Sequence, residues 1–125
     1  MIGTLNMLTN YDKVLFDTGA SVSCIAQTFI DAHGVRCSTL ESLIVIVKAG
    51  GRLLVSQIRL KQAIIIRECK FEADLIVMPL KGLAVILGMD WMTSHGAHID
   101  CERHTVSIRR PDRGRIVYQG DQRNQ

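Results

Sequence analysis

The sequence predicts a mostly β fold with one or two short helices. Three observations carry this. Apolar residues make up 47% of the 125 and aromatics only 5%, so the core must be built from Ile, Val and Leu, which pack well on a pleated sheet. The apolar runs are short and turn chemistry separates them. Gly50-Gly51 stands between two aliphatic runs, the signal of a β-hairpin.

The elements follow in order. Ile2–Leu8 reads as a first strand, with Thr9-Asn10 as its turn. Lys13–Phe16 is a second strand running into Asp17-Thr18-Gly19. Ser23 caps a helix over Cys24–His33, where Ile25, Phe29 and Ala32 fall at helical spacing and Gly34 stops it. Leu43–Val47 and Arg52–Leu60 form a hairpin around Lys48-Ala49-Gly50-Gly51. Ile64–Ile66 and Phe71–Val77 form a second, turning near Arg67-Glu68. Leu83–Leu87 is a short run of the kind that fills a buried strand. Asp90 caps a one-turn helix over Trp91–His95, with Gly96 at its end. Ala97–Asp100 and Thr105–Arg109 make a last hairpin. After Pro111 the composition turns polar and basic. Residues 1–110 are therefore the domain, and residues 111–125 a linker or tail with one strand at Ile116–Gln119.

The net charge is +3, and its surplus lies late, at Arg103, Arg109, Arg110, Arg113, Arg115 and Arg123. No aromatic stacking pattern accompanies these arginines, which argues for a solvated tail over a nucleic-acid surface. Cys24, Cys37, Cys69 and Cys101 are widely spaced, and residues 1–20 lack the apolar stretch of a secretion signal. Reduced thiols in an intracellular protein are the expectation. The aliphatic run Leu43–Val47 is far too short to span a bilayer, so no membrane partner is expected.

The chemistry points to Val14-Leu15-Phe16-Asp17-Thr18-Gly19-Ala20. A buried strand delivers one carboxylate, one hydroxyl and one glycine to a single point. Carboxylate-catalysed peptide hydrolysis needs two such groups in opposite protonation states, one taking a proton from water and one giving a proton to the carbonyl oxygen. Glycine lets the backbone approach the carboxylate, and the Thr18 hydroxyl can lock the turn through a neighbouring backbone group. The chain carries Asp-Thr-Gly once, so a second copy must supply the partner across a two-fold axis, or there is no enzyme. An ordinary turn after a strand is the bland reading of the same residues.

Two other patterns carry possible chemistry. His95, His98, Cys101 and His104 recur every three residues and on one helix could hold zinc, but Gly96 and the strand-like Ala97–Asp100 argue against that helix. Asp90 as a second acid in the same chain is weaker than Asp90 as a helix cap, and Trp91 reads as a core anchor. Val14–Gly19 and Val85–Asp90 form a weak internal echo, open to duplication or to chance.

The chain resembles the retropepsin-type aspartic protease of gypsy-type long-terminal-repeat retrotransposons, especially those of plants. The matching stretches are Val14–Ala20 with Ser21-Val22-Ser23-Cys24-Ile25, then Ala73–Val77, then Val85-Ile86-Leu87-Gly88-Met89-Asp90-Trp91-Met92, then His98–Cys101 with Val106–Ile108. They extend over nearly the whole chain, about Gly3 to Gly120. The resemblance implies a closed acid-protease β-barrel, active as a homodimer and free of metal or organic cofactor. It implies Asp17 as the catalytic carboxylate, braced by Thr18 and Gly19. Substrate contacts fall to Ala20 and to a flap over Val47–Leu53, with Gly50 and Gly51 at its tip and Val47, Lys48, Ala49, Gly50 and Gly51 as its contact residues. Ala49 stands where the family often carries proline. The implied function is processing of a Gag-Pol polyprotein, in the cytoplasm or within virus-like particles. The basic tail would then lead to the next domain. The rival class is an inactive or domesticated β-barrel serving as an interaction module.

Overall fold

A computed structural model of the chain describes residues 1–8, 10–112 and 114–121. Thr9, Arg113 and Arg123, which enter the sequence expectations, lie outside the described residues. Among the described residues seven strands form one sheet: β1 (Ile2–Asn6), β2 (Tyr11–Phe16), β3 (Cys24–Ala26), β4 (Ser38–Lys48), β5 (Gly51–Ile66), β6 (Cys69–Met78) and β7 (Val85–Leu87). Their spatial order is β1-β2-β7-β3-β6-β5-β4. The pair Asn6↔Ile65 also joins β1 to β5, so the sheet curls until its first strand meets its fifth. Three further strands, β8 (His98–Asp100), β9 (Thr105–Arg109) and β10 (Arg115–Gln119), make a second sheet. Among the described residues two short helices complete the fold, α1 (Gln27–His33) and α2 (Met89–Ser94). Neither is long and apolar enough to cross a membrane.

The centre of the large sheet holds the site. β2 and β7 run parallel with Val14↔Val85, Leu15↔Ile86 and Phe16↔Leu87 in register. That register is the alignment of the internal echo. β3 then lies antiparallel to β7 and parallel to β6. Val14 and Phe16 of β2 and Val85 and Leu87 of β7 share one face and are buried with Ile25, while Leu15 and Ile86 on the other face are half-buried. Trp91 anchors α2 against this core, stacked on His95 and edge-on to Phe71, with its indole N–H donated to the Glu72 carbonyl.

Several boundaries differ from the sequence expectation. Cys24–Ala26 is strand, because β6 and β7 flank it and take up its backbone groups. The helix starts only at Gln27 and lacks a side-chain cap. Gly34 does end it, in the left-handed conformation. The two strands expected at Arg52–Leu60 and Ile64–Ile66 are one, β5. The register shift between Arg59 and Gln62 bends β5 without ending it, and Lys61 there takes a φ of 52° while its N–H bonds Asp74. β4 likewise begins at Ser38, with an irregularity before Ile44. The turn at Arg67-Glu68 is where expected, and both residues have positive φ.

The boundary drawn at residue 110 needs correction. β10 pairs with β9 along its whole length, and Ile116 is buried. Tyr118 covers β1 so closely that a Cβ on Gly3 would meet its ring at 2.6 Å. Asp121 accepts from the Thr4 N–H and hydroxyl, and its own N–H bonds the Ile2 carbonyl. The packed domain therefore reaches Asp121. Composition hid this because a two-layer edge strand needs few apolar residues.

Candidate active site

The site begins where β2 leaves the sheet. The Asp17 N–H donates to the Leu87 carbonyl (3.0 Å), so the residue is still tied to β7 as the chain turns. The Ala20 N–H closes the turn onto the Asp17 carbonyl at 3.2 Å. The Gly19 N–H donates to Asp17 Oδ1 at 2.8 Å and fixes one carboxylate oxygen. A Cβ on Gly19 would stand 3.1 Å from that same oxygen, which is why the position favours glycine. Asp17 is half-buried, while Thr18 and Gly19 are exposed, so the loop faces outward. The Thr18 hydroxyl does not lock the turn as expected. Among the described residues it has no partner in its own chain, and the Gly19 amide does that work.

A second segment braces the loop from behind. Gly88 is the N-cap of α2 and passes directly under Ala20 and Val22. Met89 N–H donates to the Ala20 carbonyl at 2.8 Å. Asp90 is not the N-cap but lies inside the first turn, and its carboxylate reaches across to Ser23. Ser23, expected to cap the first helix, is instead buried against α2. Sequence reasoning missed this pair because the partners are 67 residues apart. No local spacing in the sequence marks the two residues as partners: Ser23 stands just before β3 and Asp90 three residues after β7.

Cys24 lies next in the chain. Burial pushes its thiol up to about 11, and the charges of Asp90 and Asp17 add to that against a backbone hydrogen bond from Ile86. It is a protonated core residue, not a nucleophile.

The expected flap residues sit on a different element. Lys48 pairs with Gly51, leaving Ala49-Gly50 as a two-residue loop, and Gly51 takes a φ of 130°. Val47, Lys48, Ala49, Gly50 and Gly51 are all exposed. No hydrogen bond among the described residues joins this tip to the Asp17 loop. The body of the hairpin does reach the site's floor. Ile44, Ile46, Leu53 and Val55 pack in one cluster with Cys24, Ile76 and Ile86, and Ile86 is the strand partner of Leu15. A cavity of about 380 Å³ lies elsewhere, between Lys61, Glu72, Asp74 and His95, and meets the site only through Asp90.

The zinc pattern is dispersed. His95 ends α2, His98 is on β8, and Cys101 and His104 lie in the turn beyond it. No group of three ligating side chains occurs among the described residues.

Comparison with known proteins bears on the family and the fold. The family model described as "Retroviral aspartyl protease" matches residues 1–113. The chain belongs to the retroviral aspartyl protease family. No curated protein matches it. Among solved structures, this protease domain is similar to the crystal structure of the retroviral protease-like domain of Ddi1 from Leishmania major. The TM-score is 0.69 at 15% identity, over 95% of this chain and 91% of that one. At that identity the likeness concerns the retropepsin-like fold alone.

Proposed function

We infer that the protease domain is an aspartic endopeptidase that works as a homodimer, each copy giving one Asp17. The observation that carries this is the Asp17 carboxylate, held by the Gly19 amide on an outward-facing turn at the end of two buried parallel strands. A second acid from the same chain is disfavoured, since the Asp90 carboxylate is taken up by Ser23 and by the Trp91 N–H. A two-fold axis beside Thr18 and Gly19 brings two copies of Asp17 together, and like charges that close share one proton.

In this arrangement the ionised carboxylate takes a proton from water as the oxygen attacks the scissile carbonyl. The protonated one gives its proton to the developing oxyanion, and proton return to the nitrogen releases the amine. Water and two carboxylates suffice, so no cofactor is invoked. The β4–β5 hairpin, with Val47–Gly51 at its tip, closes over a peptide held extended by main-chain hydrogen bonds, while Ala20 borders its path. The substrate is the polyprotein of a gypsy-type retrotransposon, cut inside the cell or within its particles. This rests on the motif match at Ile86-Leu87-Gly88-Met89-Asp90-Trp91 beside the Asp17 loop.

One observation favours the rival reading of an interaction module. Leu43, Val45, Val47 and Leu54 are exposed on the outer side of the hairpin, which is apolar on both faces. Cleavage of a mixed peptide library against enzyme concentration, at mildly acidic pH, separates the two. Activity rising faster than linearly and lost in Asp17→Asn supports the dimeric protease. No cleavage at any concentration supports the module.

A further inference from the structure

We propose that Ser23 and Asp90 are a positioning pair for the Asp17 loop, acting through Gly88 and Ala20. The kinetic part of this rests on the protease reading above; the structural part does not.

Ser23 is only 1% exposed, yet its hydroxyl is fully used. It donates to Asp90 Oδ1 at 2.6 Å and accepts from the Gly88 N–H at 2.9 Å. The Ser23 N–H donates to Asp90 Oδ2 at 3.1 Å, and the Trp91 N–H donates to Oδ1 at 2.7 Å. Both carboxylate oxygens are thus engaged, one by a short bond to a charged acceptor, the stronger class of hydrogen bond. Only a side chain that donates and accepts at once can stand between Gly88 and Asp90.

The consequence runs toward Asp17. Gly88 cannot drop away from the loop while Ser23 holds its amide, and Met89 N–H stays on the Ala20 carbonyl. Ala20 in turn closes the Asp17 turn. The carboxylate is therefore aimed by a chain of contacts whose far end is a side-chain pair that touches no substrate. A fraction of an ångström lost there is costly, because rate depends steeply on the placement of reacting groups.

The test is amide hydrogen exchange and peptide kinetics on the wild-type chain, Ser23→Ala, Ser23→Thr and Asp90→Asn. In Ser23→Ala the Ala20 and Met89 amides should exchange about tenfold faster or more, with β5 and β6 unchanged, since loss is local when one bonded pair is cut. Where the wild type cleaves, kcat should fall about tenfold with KM within about twofold, as for an interaction used in the transition state. Ser23→Thr, which keeps the hydroxyl, should recover most of both. Should the added methyl prevent folding, Asp90→Asn replaces it. That variant turns one acceptor into a donor facing Ser23 and should behave as Ser23→Ala. Unchanged exchange at Ala20 and Met89, or exchange rising equally in β5 and β6, overturns the proposal. An inactive wild type with the local exchange effect keeps the positioning pair and removes the protease reading. An active wild type matched in kcat by Ser23→Ala does the reverse.

Discussion

A Cβ placed on Gly88 would stand 2.6 Å from the carbonyl oxygen of Ala20. The obstacle is backbone on both sides, with Val22 also at 3.1 Å, so neither segment can give way without moving the Asp17 turn. Gly88→Ala should therefore cost about 2–3 kcal/mol, the upper range for overpacking a tight contact. It should also reduce cleavage more than stability. Urea denaturation alongside peptide turnover checks both.

Burial of Cys24 makes a pH prediction. Its thiol pKa is raised from 9.0 to about 11 in the folded chain, so the folded state holds its proton more tightly than the unfolded state. Stability from this group is fully present below pH 9 and is lost as pH rises from 9 through 11, by roughly 2–3 kcal/mol in all. Denaturant midpoints from pH 8 to 11 should show that fall, and Cys24→Ala should flatten it. Thiol labelling of the folded chain at pH 8 should modify exposed Cys101 first and Cys24 last.

Residues beyond Pro111 should prove structural. Truncation after Arg110 removes β10, uncovers β1 at Gly3 and frees Thr4 from Asp121. Ile116→Ala alone should cost about 2–4 kcal/mol, the usual range for emptying a buried aliphatic site. Equilibrium unfolding measures it, and a change below about 0.5 kcal/mol, typical of surface positions, would place this strand outside the core.

The hairpin tip separates stability from function. Gly51 adopts a φ of 130° in open space, so a side chain there is strained but meets nothing. Gly51→Val should strain the tip, and a shift of the exposed tip should relieve most of that strain, leaving a net cost below about 0.5 kcal/mol as at other surface positions. The melting temperature should barely move while kcat/KM falls about tenfold if the tip closes on substrate. Equal cleavage by both chains would remove Val47–Gly51 from the substrate contacts.

What could be read from the sequence was local. The Asp17 turn was visible because strand, carboxylate and glycine are consecutive, and the Gly50-Gly51 and Arg67-Glu68 turns were visible for the same reason. The length of β5 was hidden because Lys61 adopts a positive φ without being glycine, so nothing marked a bulge in place of a break. Cys24–Ala26 looked helical, since Ile25, Phe29 and Ala32 keep helical spacing. Flanking strands decide its state, and these come from residues 76–78 and 85–86. The Ser23–Asp90 pair and the packing of Tyr118 on Gly3 are likewise long-range facts.

The parallel pairing of β2 with β7 has a temporal side. Asp17 is near the start of the chain, but its amide is held by Leu87, and the loop's support arrives with Gly88 and Met89. Contacts so distant in sequence form late and slowly. During synthesis, a chain stopped short of Leu87 carries every residue of the Asp-Thr-Gly turn and none of its backing. The turn therefore gains its support only once the chain has been made through Met89.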